Sequence, residues 1–253
     1  MESRKLLLAL AIKHKGNWDD IYNAIAEKKD LDESFVEETA NQYKGKFITY
    51  LDDEYPENLK QSFKPPFVLF YEGNIALLNA TNYKRVALND SRHTTTNDKL
   101  VADKLMTDLP DDIAFVIGGN SELSYTLAFE YKRPTIVVLT HSIDLMNKDK
   151  KDKIISQGGV IVSEYANGVE KLSKDSIMLR YRIMATLCDK MLILSHIKKH
   201  SGTTFMISLV VAQGKDVLIV PTSPLDEEES ANNEFIAEGA YPVYDNESLC
   251  YNI

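Results

Sequence analysis

The sequence predicts an α/β protein: a doubly wound, mostly parallel sheet preceded by a small helical domain. Three observations carry this. Short, continuously apolar runs recur from residue 67 onward, segments of helical character separate them, and the residues before position 45 read as helix alone. A strand apolar along its whole length is buried on both faces. Strands of that kind alternating with helices give a parallel sheet covered on both sides.

The elements follow in order. Glu2–Lys13 is apolar at helical spacing. Trp18–Lys28 follows Asn17, a side chain suited to capping a helix start. Asp32–Tyr43 carries acidic residues in its first turn, where the helix dipole favours them. Gly45 breaks the pattern, so residues 1–45 read as a helical N-terminal domain. Tyr55-Pro56 and Pro65-Pro66 do not suit element interiors, and 46–66 reads as a connector. In 67–253, strands are expected at Phe67–Tyr71, Arg85–Leu88, Ile113–Ile117, Thr135–Thr140, Val160–Glu164, Met191–Leu194 and Val217–Val220. Helices are expected at Asn97–Leu109, Ser121–Tyr131, Lys148–Gln157, Ser176–Leu187 and Gly202–Gln213.

A length of 253 residues suits one large domain with a small appendage, or two modest domains. The two cysteines, Cys188 and Cys250, lie far apart without metal-type spacing, which points to a reducing, cytoplasmic setting rather than a disulfide framework or zinc site. Leu6–Ile12 runs into Lys13-His14-Lys15 without a cleavage-site pattern, so it reads as an amphipathic first helix rather than a leader. No apolar run approaches the length of a membrane span, and no membrane partner is expected. The net charge of −9 is unevenly spread: from Asp226 onward there are eight carboxylates and no Lys or Arg, while Lys171–Lys199 holds seven Lys or Arg and two Asp. Such asymmetry fits a polyanion site beside an acidic tail, and equally a solvated surface.

Ligands of doubly wound sheets bind outside the carboxyl ends of the strands. Five loops are expected there: Asn89–His93, Gly118–Ser121, His141-Ser142, Tyr165–Gly168 and Ser195–Thr203. Ser201-Gly202-Thr203-Thr204 opens a helix, and a helix N-terminus offers unpaired N–H groups and partial positive charge to a phosphate; simple N-capping explains the same residues. Gly118-Gly119 allows close backbone approach to a ligand, or a tight turn, and is not a dinucleotide fingerprint. Arg92 suits a phosphate or a surface carboxylate. Arg180 and Arg182 are two apart, so a helix aims them differently, one toward a pocket and the other toward a bracing role. Tyr165 and Tyr181 suit base stacking or partial burial. Glu164 stands at a strand end without an obvious nucleophile or metal partner. No catalytic set and no cofactor motif is evident, so the chain reads as a binding protein rather than an enzyme.

Tyr55-Pro56-Glu57-Asn58-Leu59, Pro65–Asn74, Ser91-Arg92, Thr135–Leu139, Gly159–Tyr165, Arg180–Ala185, Ser201-Gly202-Thr203 and Asn233–Ala240 follow one another in an order that resembles the motifs of the DNA-processing protein A family (DprA, also called Smf). The resemblance implies an extended Rossmann-like core, single-stranded DNA binding, homodimerisation and delivery of the RecA recombinase during uptake of transforming DNA. It places the DNA contacts at Ser91, Arg92, Gly118, Gly119, Lys174, Arg180, Arg182, Ser201, Gly202 and Thr203, and the dimer around Lys215–Ala240. This chain departs from the family pattern at Asp90 and Tyr181, which stand where the family carries Gly and Asn. Two other readings stay open: a Rossmann-like protein that binds or hydrolyses a nucleotide, and a dimeric scaffold working through Glu227, Glu228 and Glu229.

Overall fold

The computed structural model describes residues 2–28, 32–89, 95–170, 173–223 and 230–253. Ser91, Arg92 and the Glu227–Glu229 run lie outside them. The described residues form one nine-stranded sheet. Its strands are β1 (Lys46–Thr49), β2 (Val68–Gly73), β3 (Lys84–Asn89), β4 (Ile113–Gly118), β5 (Thr135–Val138), β6 (Val160–Ser163), β7 (Lys190–Ile193), β8 (Val217–Ile219) and β9 (Tyr241–Pro242), in the order β1-β2-β6-β5-β4-β3-β7-β8-β9. β2 pairs antiparallel with both neighbours, and all other pairs are parallel.

The helices are α1 (Ser3–Lys13), α2 (Trp18–Ala26), α3 (Glu33–Gln42), α4 (Glu57–Lys60), α5 (Thr96–Met106), α6 (Glu122–Glu130), α7 (Lys148–Ser156), α8 (Lys174–Leu187), α9 (Gly202–Ala212), α10 (Asn232–Ala237) and α11 (Asn246–Asn252). Period-two alternation sends neighbouring strand residues to opposite faces. In β4, Ile113, Phe115 and Ile117 join the core that also takes in α1, α5, α6 and α7; Ala114 and Val116 join the core under α8 and α9. The continuous apolar runs are therefore two interleaved faces, each with its own helical layer.

Beyond α10 and α11, which the sequence did not suggest, two features depart from the sequence expectation. The segment read as a connector contains β1 and the short α4, and its Tyr55 and Leu59 are buried. Tyr55 donates its hydroxyl hydrogen to the Pro66 carbonyl at 2.8 Å, which ties the middle of the segment to its end. β9 also joins the sheet; two residues including a proline carry too little pattern to be read as a strand.

The outer side of β1 is closed by side chains. Arg4 of α1 donates to the Phe47 carbonyl at 3.0 Å and pairs with Asp52, whose Oδ2 accepts the Thr49 N–H at 2.7 Å. From β3 the chain winds through β4 and β5 to β6. α8 then carries it back across the sheet to β7, on the other side of β3. The winding direction reverses between β3 and β7, and a crevice opens there at the carboxyl ends of the strands.

Candidate nucleic-acid interface

Three consecutive residues of α8 set the geometry at this edge. The helix starts with a capping box: Ser173 Oγ accepts the Ser176 N–H, and Ser176 Oγ accepts the Ser173 N–H. Lys174 follows as its first residue and is exposed. Six residues on, Arg180 is 8 % exposed and lies over Gly118 at the tip of β4. A Cβ on Gly118 would stand 2.9 Å from the Arg180 Cζ, so the missing side chain is what admits the guanidinium. Tyr181 turns to the start of α9: a Cβ on Gly202 would meet its ring at 2.8 Å. Arg180 also stands 5.1 Å from the Tyr181 ring centroid. Arg182 turns to β6 and forms a buried, two-point ion pair with Glu164, Nη1–Oε2 at 2.9 Å and Nη2–Oε1 at 2.5 Å. Its Nη1 also donates to the Leu179 carbonyl at 2.8 Å.

These positions revise several sequence expectations. Gly119 makes room for Leu139, whose Cδ2 would lie 2.5 Å from an added Cβ. Ser201 caps α9 through its own hydroxyl, which accepts the Thr204 N–H at 3.4 Å, and Gly202 and Thr203 follow half-buried in its first turn. Tyr165 is buried and offers no stacking face to solvent. Arg182, with its Nη atoms on Glu164 and Leu179, is engaged as a brace, the role the sequence left to one of the two arginines. Lys174, Arg180, Gly118 and the Ser201–Thr203 turn do gather around the carboxyl edge.

Other polar groups there carry weaker sequence signals. Asn89 ends β3, is 8 % exposed, and its Nδ2 has no hydrogen-bond partner among the described residues; the Thr140 and Ser142 hydroxyls beyond β5 are buried in the same state. Unpaired buried donors are uncommon in proteins and are what a polar ligand engages. Tyr125, on the first turn of α6, is buried, and its hydroxyl also lacks a partner among the described residues. Burial holds its phenol far above the usual range, with Glu122 adding and Arg180 opposing, so it stays a neutral donor. Asn232 is 1 % exposed and fastens the β7–α9 loop: Oδ1 accepts the Ile197 N–H at 2.8 Å, and Nδ2 donates to the Val220 carbonyl at 2.8 Å. One asparagine beside Asn233 gives no pattern by which to single it out.

The edge therefore combines a guanidinium, an exposed ammonium, helix N-termini and buried polar groups, a donor-rich arrangement suited to an anion. Among the described residues no group of three or more His, Cys, Asp or Glu is placed to share a metal ion, and no helix is long and apolar enough to cross a membrane.

Residues 46–253 match the family model for DNA recombination-mediator protein A. The DNA processing protein DprA of Streptococcus pneumoniae is 30 % identical over 200 residues, covering 76 % of this chain and 69 % of that protein. DprA of Bacillus subtilis is 24 % identical over 204 residues, covering 78 % and 67 %. Among solved structures, the X-ray structure of S. pneumoniae DprA superposes with a TM-score of 0.74 at 24 % identity, covering all of this chain and 93 % of that one. A Helicobacter pylori DprA structure, described for its single-stranded DNA binding mode, gives 0.69 at 22 % identity, covering 82 % and 95 %. The structural matches establish the shared fold, and the family model spans most of the chain; the protein belongs to the DNA recombination-mediator protein A family.

Proposed function

We propose that this chain binds single-stranded DNA across the carboxyl edge of its sheet and acts, as a homodimer in the cytoplasm, to deliver RecA onto that DNA during DNA uptake. The observation that carries the reading is the Arg180 guanidinium seated on Gly118, beside the crevice where the winding direction reverses. Lys174 supplies a second cation, and Arg92 a third by family resemblance. The α6 and α9 N-termini add oriented N–H groups. The protein works by binding rather than by bond-breaking. Its acidic net charge is compatible with this, because a cleft concentrates its own field and the rest of the surface discourages nonspecific polyanion contact. Family membership supports the mediator role, and the H. pylori relative's described DNA binding supports the choice of ligand.

The test is fluorescence anisotropy with a labelled oligo-dT across a salt series. Wild type should bind with steep salt dependence. Lys174→Ala, Arg180→Ala and Arg92→Ala should each weaken binding and flatten the slope by about 0.7 for each phosphate no longer neutralised. Wild-type affinity retained in all three variants would place the site elsewhere.

The homodimer is proposed at a groove of about 360 Å³ between α9, β8, α10 and β9. Val211 and Tyr241 line it at 58 % and 45 % exposure, an apolar surface that a second copy would cover.

A further inference from the structure

A second groove, also about 360 Å³, lies between the α1–α2 turn, residues 63–64 and the first turns of α8. Its rim is Phe63, 68 % exposed, a large aromatic side chain held in solvent. The holding is specific. Lys64 sits at φ +50°, a left-handed conformation unfavourable for a residue with a side chain. Its ammonium reaches Asp19 at 2.6 Å and lies 5.2 Å from the Trp18 ring centroid. Trp18 is fixed in turn, stacked with Tyr22 and with Phe67 and donating Nε1–H to the Pro65 carbonyl at 2.8 Å. The opposite wall is α8, where Asp175 and Met178 face the groove and Lys174 stands exposed beside Asp175.

The lining selects the ligand. Lys64 is already neutralised by Asp19, and Asp175 adds a carboxylate, so the groove lining carries no net positive charge for a phosphate. It offers instead an aromatic face for stacking and a carboxylate that accepts from an amino group. Lys174, the first residue of α8, stands exposed next to Asp175, so a strand held at Lys174 passes this rim. We propose that the groove takes one unstacked nucleobase carrying an exocyclic amino group, stacked on Phe63 with its amino group on Asp175. This rests on the single-stranded DNA reading above and adds a base preference to it.

The experiment compares oligo-dC with oligo-dT of equal length by anisotropy at pH 8 and fixed salt. Wild type should favour oligo-dC about fivefold, the yield of one net hydrogen bond. Asp175→Ala should erase that ratio, whatever it does to overall affinity. Phe63→Ala should weaken binding to both oligonucleotides about tenfold, because the stacking face is gone, without changing the salt slope. Thermal melting should show both variants folded, since both residues are exposed. Equal affinity of wild type for the two oligonucleotides, or a preference surviving in both variants, overturns the base site and leaves the phosphate cleft standing. Absence of wild-type binding to either oligonucleotide overturns both.

Discussion

Arg180 and Arg182 carry the same chemistry into opposite roles, and the difference is measurable. Arg182 is 2 % exposed and paired with Glu164, so truncating it leaves a carboxylate buried without its partner. Arg182→Ala should lower stability by about 3–5 kcal/mol in urea unfolding. Arg180→Ala should cost much less stability and should show its effect in weaker DNA affinity. Gly118→Ala separates the roles further. The added Cβ meets the far end of a flexible side chain, which swings away at little cost. That variant should keep its melting temperature and bind DNA as weakly as Arg180→Ala. A destabilised Gly118→Ala with normal affinity would show that the guanidinium's seat does not matter. Cysteine chemistry divides in the same way. Cys188 is fully buried and its thiol is pushed up to about 11, mainly by burial, whereas Cys250 is half-buried on α11. Alkylation of the native protein at pH 8, followed by mass spectrometry, should modify Cys250 and spare Cys188 until the chain unfolds.

At the scale of elements, α8 organises the site because its neighbours leave room for it. Side chains 180, 181 and 182 reach β4, α9 and β6, and two of those approaches depend on a glycine opposite. Its C-terminal end is fastened by Lys215, whose ammonium donates to the carbonyls of Ala185, Thr186 and Cys188. Asn58 also donates to the Thr186 carbonyl, and the Cys188 thiol weakly to that of Ala185, so Lys215→Ala deprives the Cys188 carbonyl of its donor and leaves Ala185 with the thiol; it should cost about 1–3 kcal/mol in urea unfolding. The sequence made α8, its basic side chains and its place after β6 legible, because helical spacing and strand alternation are local signals. The Glu164–Arg182 pairing was not legible: β6 and α8 meet through tertiary packing, and neither residue states its partner. The glycines were legible as glycines, but their occupants, Arg180, Leu139 and Tyr181, were not. The fold was the most legible part, since seven of the nine described strands are apolar runs between helices. β1 and β9 escaped because neither is a continuous apolar run: β1 is Lys-Phe-Ile-Thr, and β9 is two residues with a proline.

At the scale of the molecule, the proposed homodimer makes the apolar groove beside β9 a buried surface. Sedimentation equilibrium should give a dimer at micromolar concentration. Val211→Glu with Tyr241→Glu should shift it to monomer without unfolding, since both side chains stand exposed. A wild-type monomer across the whole concentration range would discard the dimer and leave the cleft untouched.

The closure of β1 has a consequence for crowding. An exposed sheet edge is a template on which another chain can add a strand, and a long nucleic acid gathers many copies in a small volume. Here the outward Phe47 carbonyl and Thr49 amide are already taken by Arg4 and Asp52, and Pro242 removes a donor from the far edge. On the proposed reading, copies lined up on one strand would have little backbone route into one another, and the length of the nucleic acid, rather than sheet growth, would decide how many assemble.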